Sequence, residues 1–292
     1  MSEQILKLGI PAGSLKNATV ELFAKAGFHI LDSSRSYLPR IDDEQIQLTM
    51  LRAQEMSKYV EDGVIDAGIT GYDWIMENGS DVVEICELAY SKATSNPARW
   101  VLAVPNEAAK VNKAEDLAGG IVATELVNVT KKYFADKGVD VKVEFSWGAT
   151  EVKARLVNAI VELTETGTSL RANNLRIIDT IITSTTRFFA NHKAWQDKFK
   201  REKMENISIL LNAAIEARSK VGLKMNIRKD GLDAILKILP AEKSPTVSAL
   251  ANPDFVAIEV IIDDKIERSL VPTLKRAGAS GVITYPLNKV IH

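Results

Sequence analysis

Three observations predict an α/β protein in two parts. Strand-like and helix-like runs alternate along most of the chain, the rhythm changes at Lys220, and the segment that follows has the order βαββαβ. In the first part, residues 5–10 read as a strand, and Gly13 and Ser14 open a helix over residues 15–26 that closes at Gly27. Residues 45–61 carry apolar side chains at helical spacing and read as a helix ending near Gly63. A short buried strand over 65–70 leads to Gly71. Further strands fall at 100–105, 120–124, 141–145 and 175–182, with helices at 127–137, stopped by Gly138, and at 151–163. The alternation implies largely parallel sheets. Residues 195–219 read as one long helix.

In the second part a strand over 221–227 and a helix over 230–239 come first. Strands at 246–250 and 256–262 follow, joined by the turn Ala251-Asn252-Pro253-Asp254, and then a helix over 268–277 and a strand over 281–284. That order is the split βαβ, or ferredoxin-like, arrangement, so a separate C-terminal module of about 75 residues is expected.

Composition narrows the function. With 37 basic against 38 acidic side chains, the chain lacks the electrostatic footprint of a nucleic-acid binder. The single cysteine, Cys86, cannot form an intramolecular disulfide and fits a reducing compartment. The N-terminal stretch MSEQILKLGIPAG turns polar too soon for a secretory signal. No apolar run approaches the roughly 20 residues needed to span a bilayer. A cytoplasmic protein with no nucleic-acid or membrane partner is the expectation. Three histidines and one cysteine argue against a dedicated zinc site.

One stretch bears directly on chemistry. "VELTETGTSLRANNL", residues 161–175, places three hydroxyls and a glycine in Thr166-Gly167-Thr168-Ser169. Two roles fit. Gly167 can stop the preceding helix in a solvated turn, since glycine and hydroxyl residues are common turn formers. The same atoms can cradle a phosphate. If Thr168 or Ser169 starts a helical turn, its unpaired N–H groups and the helix dipole favour an anion, and glycine lets the backbone approach it closely. The absence of a P-loop lysine counts against a Walker-type ATPase.

Several motifs, in order, resemble the ATP phosphoribosyltransferases, the family that opens histidine biosynthesis. "KLGIPAGSL" resembles the family's first strand, loop and helix cap, and "DGVIDAGITGYDW" (62–74) its D-x-G-I-x-G segment. "ATELVNVTKKYFADKGV" (123–139) and "EFSWGATEVK" (144–153) are similar to its second lobe, and "NAIVELTETGTSLRANNL" to its phosphoribosyl-pyrophosphate loop. "SPTVSAL" and "GASGVI" look like the histidine-binding regulatory domain of the long form. The resemblance covers nearly the whole chain. It implies two lobes like those of periplasmic binding proteins, with the chain crossing between them twice. Residues 1–95 and 183–211 would form the first lobe, 96–182 the second, and 212–292 the regulatory domain. A two-lobe sensor without catalysis is the alternative, because the same lobes serve binding proteins.

The reaction implied is attack of ATP N1 on C1′ of phosphoribosyl pyrophosphate with loss of pyrophosphate, aided by Mg2+ and inhibited by histidine. It needs no protein nucleophile, only alignment and charge management. The resemblance assigns Thr166, Gly167, Thr168, Ser169 and Leu170 to the 5-phosphate. It sets Glu162 near the ribose hydroxyls, and Glu151 becomes a candidate for a substrate or metal contact, although favourable placement at a helix start explains Glu151 equally well. The resemblance also assigns Asn158 to phosphoribosyl pyrophosphate, where many relatives carry Asp; an amide accepts a hydrogen bond but brings no charge for an ion. Gly13, Ser14, Arg52, Asp66 and Gly71 are assigned to ATP. Their plainer roles are an N-cap for Gly13 and Ser14, a surface arginine for Arg52, a turn anchor for Asp66 and close backbone packing for Gly71. Lys7, Lys16, Arg35 and Lys92 are candidates for neutralising phosphates or for simple solvation. Ser244, Thr246, Ala279 and Ser280 are assigned to the inhibitor, and capping of strand edges explains Ser244 and Thr246 as well. A homo-oligomer, dimer to hexamer, is implied.

Overall fold

Leu6, Leu8 and Ile10 are fully buried in the first strand, with Lys7 exposed between them. This strand is an inner strand of the first sheet, paired on both sides. The structure, a computed structural model, describes residues 4–31, 37–90, 97–240 and 245–291. The elements are β1 (Leu6–Ala12), α1 (Lys16–Ala26), β2 (Ile30–Leu31), β3 (Arg40–Ile41), β4 (Ile46–Arg52), α2 (Ala53–Glu61), β5 (Ala67–Gly71), α3 (Tyr72–Asn78) and β6 (Val83–Leu88). Next come β7 (Ala98–Pro105), β8 (Ile121–Thr124), α4 (Val127–Asp136), β9 (Lys142–Phe145), α5 (Thr150–Lys153), β10 (Ala159–Thr164), α6 (Thr168–Ala172) and β11 (Leu175–Ser184). The chain continues through β12 (Thr186–Ala190), α7 (His192–Gln196), α8 (Lys198–Glu216), β13 (Lys220–Arg228), α9 (Leu232–Ile238), β14 (Thr246–Ala249), β15 (Phe255–Asp263), α10 (Asp264–Arg276) and β16 (Ser280–Pro286).

Two five-stranded sheets lie in one compact unit that includes residues 28–208. The first has the order β4-β1-β5-β12-β6 and the second β11-β7-β10-β8-β9. Residues 209–292, with 25–27, form the second unit, and the boundary falls inside α8. Its four-stranded antiparallel sheet, β14-β15-β13-β16, has the split βαβ order. Leu223, Met225, Ile258, Ile235 and Leu274 form a core between this sheet and α9 and α10.

The structure corrects four expectations. The sheets are mixed: β1 is parallel to β4 and β5, whereas β12 runs antiparallel to β5 and β6, because it is the chain's return from the other sheet. Residues 45–61 hold a strand before the helix. Ile46, Leu48 and Met50 alternate with less buried neighbours and pair with β1 in register from Leu6↔Ile46, so the two-residue period prevails over the helical one. Residues 151–163 likewise divide into α5 and β10, since Ala159, Ile160 and Val161 are buried on both sheet faces. The long helix breaks at Asp197, whose backbone is extended and whose carboxylate accepts the amide of Lys200 at 3.0 Å.

Gly9 has close packing on β1. A Cβ there would lie 2.4 Å from Met56 Sδ and 2.6 Å from Ile65 Cδ1. Gly9→Val is expected to cost about 1–3 kcal/mol through overpacking and to lower Tm by several degrees in a thermal melt. An unchanged Tm would contradict this packing.

Candidate active site

A cleft of about 970 Å³ opens between the two five-stranded sheets. Strand direction builds it. The parallel strands β1, β4 and β5 all end there, presenting Ala12 to Lys16, Arg52 to Gln54, and Gly71. Across the gap the chain leaving β8 presents Glu125, β10 presents Glu162 and Leu163, and the loop after it presents Glu165. Ligands bind outside the carboxyl ends of parallel strands for this reason: loops are free there and helices begin there. The two walls differ in charge, with Lys16 and Arg52 on the first sheet's side and Glu125, Glu162 and Glu165 on the second.

The loop after β10 closes into a small cradle. Gly167 is left-handed (φ 73°), a conformation that favours glycine. Its amide donates to the Thr164 hydroxyl at 2.7 Å and is thus already used. The amides of Thr168, Ser169 and Leu170 are the first turn of α6, where helical geometry supplies no acceptor. The Thr166 and Thr168 hydroxyls lie 2.9 Å apart. Leu170 buries its side chain in the second lobe's core, so only its backbone faces the loop. Glu151 joins the cradle by accepting the Ser169 hydroxyl at 2.5 Å. The backbone before it, Gly148 and Ala149, is left-handed at both residues (φ 89° and 48°), which swings the start of α5 toward the loop.

Glu162 lies on a strand, not a helix, and its side chain reaches the cleft. Burial pushes its carboxyl above the ordinary value; the Thr150 hydroxyl and the Leu163 amide oppose the rise, and the charges of Glu151 and Glu125 add to it. Asn158 immediately precedes β10, and the four residue steps of extended chain from it to Glu162 span about 13 Å. Asn158 instead accepts the Ile121 amide at 2.8 Å, bracing the start of β8, and it is not among the cleft-lining residues.

Gly13, Ser14, Arg52 and Gly71 line the cleft, as does Lys16. Asp66 does not. It precedes β5 at the end of the strand away from Gly71, where it accepts the Lys7 amide at 2.8 Å and pairs with Lys200 at 2.7 Å. Arg35, Lys92 and Ser244 lie outside the described residues. In the second unit, Thr246 is on β14 and Ser280 on β16, the opposite edges of the four-stranded sheet, and Ala279 packs into the core. Within one sheet these residues do not converge, since three strand spacings separate the edges by about 14 Å.

Sequence reasoning missed Asp73, Trp100, Tyr90, Glu125, Ser184, Thr185 and Thr186, all in the cleft wall. Asp73 is 4% exposed. Trp100 Nε1 donates to its Oδ2 at 2.6 Å and the Ser184 hydroxyl to its Oδ1 at 2.9 Å. Burial raises its carboxyl above the ordinary value, and these two donors oppose the rise.

The profile of the ATP phosphoribosyltransferase family, HisG, matches residues 52–213, and that of the HisG C-terminal domain matches 217–289. An ATP phosphoribosyltransferase from Chlorobium chlorochromatii is 56% identical over 289 residues, spanning 99% of this chain and 98% of the relative. One from Geotalea daltonii is 55% identical over 289 residues, spanning 98% and 99%. A chain of the ATP phosphoribosyl transferase (HisG:HisZ) complex from Thermotoga maritima has a TM-score of 0.61 at 27% identity, over 71% of this chain and 99% of that one. A candidate L-cystine ABC transporter from Listeria monocytogenes has a TM-score of 0.50 at 12% identity, over 73% of this chain and 91% of that one, and shares the two-lobe fold alone.

The carboxylates of the cleft generate a pH prediction. As pH falls, Glu162 takes its proton before an ordinary glutamate does, because its folded-state value is raised. Isotope-edited infrared or NMR titration of labelled glutamates should show one group above the usual glutamate value of about 4.3, moving down in Glu151→Gln as the repelling charge is removed. A Glu162 value at or below the usual one would contradict the burial described.

Proposed function

This chain belongs to the ATP phosphoribosyltransferase family, and from that premise we propose how its cleft performs the transfer. The reaction joins N1 of ATP to C1′ of phosphoribosyl pyrophosphate and gives phosphoribosyl-ATP and pyrophosphate. The identity of 56% over 99% of the chain favours the enzyme over the binding-protein alternative.

In our reading the amides of Thr168, Ser169 and Leu170, with the hydroxyls of Thr166, Thr168 and Ser169, hold the 5-phosphate. The observation that carries this is the left-handed Gly167, which turns the chain from β10 into α6 and leaves the first-turn amides for an anion. Glu162 accepts the ribose hydroxyls, and Glu151 orients Ser169. ATP lies against the opposite wall, with Lys16 and Arg52 toward its phosphates and Gly13, Ser14 and Gly71 leaving room at the strand ends. Asp66 and Asn158 have no part in substrate binding in this reading. Aligning two bound substrates can supply up to ~7–11 kcal/mol of barrier reduction, so a chain without a nucleophile is sufficient.

A divalent cation fits the reading as a partner of the pyrophosphate, and we take it to be Mg2+. Among the described residues no three acidic, histidine or cysteine groups come together to hold an ion. Mg2+ needs only one or two carboxylates when phosphates and waters complete its shell, and Glu125, Glu151 and Glu162 are hard oxygen donors of that kind. When bound, the ion neutralises charge on the departing pyrophosphate.

Histidine inhibition through residues 212–292, a homo-oligomer of two to six chains and a cytoplasmic location complete the proposal. The match of the HisG C-terminal domain supports the first. The Thermotoga maritima relative is itself a complex, which supports assembly. For the third, no helix among the described residues is long and apolar enough to cross a membrane. Thr246, exposed on its edge strand, is available to an inhibitor through its hydroxyl, while Ala279 offers only backbone.

Mixing the protein with ATP, Mg2+ and phosphoribosyl pyrophosphate should raise absorbance beside the adenine band as product forms. No rise from well-folded protein would overturn the reading. Gly167→Val should retain the fold and lose phosphoribosyl pyrophosphate binding, with each charge-assisted hydrogen bond lost costing ~1.5–3 kcal/mol. Wild-type kinetics would reduce the loop to a turn. Thr246→Ala should weaken histidine inhibition, a coupling of about 1–3 kcal/mol, and leave activity without histidine near normal. Failure of histidine to bind the intact protein in calorimetry would remove the regulatory half.

A further inference from the structure

Helix α3 joins the two lobes: Ile75 packs in the first lobe's core and Asn78 donates to Gln54 and Ser57 of α2, whereas Asp73, Trp74 and Glu77 reach the second. Asp73, in its first turn, accepts Trp100 Nε1 of β7 and the hydroxyl of Ser184, where β11 ends. The Asp73 amide donates back to Ser184 Oγ at 3.1 Å, and the Tyr72 amide donates to the Thr185 carbonyl at 2.9 Å. Trp74 sets its ring edge-on to Trp100 with centroids 6.0 Å apart and packs against the second lobe's core. In the last turn Glu77 accepts the amides of Asn128 and Val129 at 2.8 and 3.0 Å, capping α4 of the second lobe. One short helix thus fixes the angle between the two cleft walls.

Asp73 is the buried centre of this joint. Its carboxylate folds back so closely that a Cβ on Gly71 would lie 2.1 Å from Oδ1. Both side-chain donors are neutral, and two good hydrogen bonds from two different segments offset the burial of the carboxyl group. A group that costs this much to bury and lines the cleft has a use beyond packing.

We propose that Asp73 is a positioning residue for the transfer reaction: by binding Trp100 and Ser184 it holds the wall that carries ATP at the fixed angle to the wall that carries phosphoribosyl pyrophosphate. The inference rests on the reading of the cleft given above. Each substrate is gripped within its own wall, so loosening the joint leaves the separate binding steps intact. What it degrades is the approach of N1 to C1′, where a displacement of about 1 Å costs roughly a hundredfold in rate.

The test compares Asp73→Ala, Asp73→Asn and Trp100→Phe with the wild type by steady-state kinetics. Binding of phosphoribosyl pyrophosphate and of ATP, each with Mg2+, is measured separately by calorimetry, and thermal melts are recorded. The expected result is a fall in kcat of tenfold or more in Asp73→Ala with both dissociation constants within threefold of wild type. Trp100→Phe should show the same split in milder form, since it keeps an aromatic side chain while losing the donor and part of the indole's packing, and Asp73→Asn should recover part of kcat by keeping an acceptor for Trp100. Near-normal kcat in both Asp73→Ala and Trp100→Phe would overturn the proposal. So would a loss shared equally by kcat, both affinities and the melt, which marks a purely structural role. If Asp73→Ala does not fold, Trp100→Phe and Ser184→Ala decide on the same criteria. Gly167→Val serves as the control for the underlying reading: if it still binds phosphoribosyl pyrophosphate, the cleft assignment fails whatever the Asp73 variants do.

Discussion

The parallel strands of two separate sheets point their carboxyl ends at one gap, and the rest of the site depends on that directional constraint. β1, β4 and β5 deliver Gly13, Ser14, Arg52 and Gly71 to one wall. β8 and β10, parallel to each other, deliver Glu125 and Glu162 to the other. Backbone amides with no partner inside a helix collect at such ends, and so do the residues of short loops. In the proposed reading two sheets serve because two polyanionic substrates must approach each other: each wall holds one of them, and their meeting depends on the joint between the walls.

Charge distribution fits that division. In the proposed reading the first wall offers Lys16 and Arg52 to a triphosphate, which guanidinium and ammonium groups bind well. In the same reading the second wall offers neutral donors to the 5-phosphate and keeps its carboxylates for hydroxyls and a cation. The raised value of Glu162 follows from placing a carboxylate in a partly buried wall near two others. A lysine in the loop after β10 would neutralise the phosphate but would also pair with Glu151, which now holds Ser169.

Much of this was legible in the sequence, and the failures have physical causes. The βαββαβ order of residues 220–286 could be read because each element there is short, locally periodic and bounded by turn residues. The helical turn that starts at Thr168 after a left-handed Gly167 could be read because its turn residues are contiguous. Residues 45–61 and 151–163 were misread because buried strands and helices share apolar runs, and only pairing with a distant strand decides between them. Asp73 lies within the motif "GYDW", but its partners Trp100 and Ser184 are 27 and 111 residues away. No local pattern announces a joint made by segments so far apart. Asp66 illustrates the converse, an acidic residue inside a motif that serves the far end of its strand through Lys7 and Lys200.

The central claim is that the two walls divide the substrates, with phosphoribosyl pyrophosphate on the loop after β10. A crystal structure of the protein soaked with phosphoribosyl pyrophosphate and Mg2+ tests it most directly. The 5-phosphate should lie within hydrogen-bonding distance of the amides of Thr168, Ser169 and Leu170, with the ribose hydroxyls on Glu162. A 5-phosphate bound instead by Lys16 and Arg52 on the opposite wall, with the loop at 166–170 empty, would contradict it.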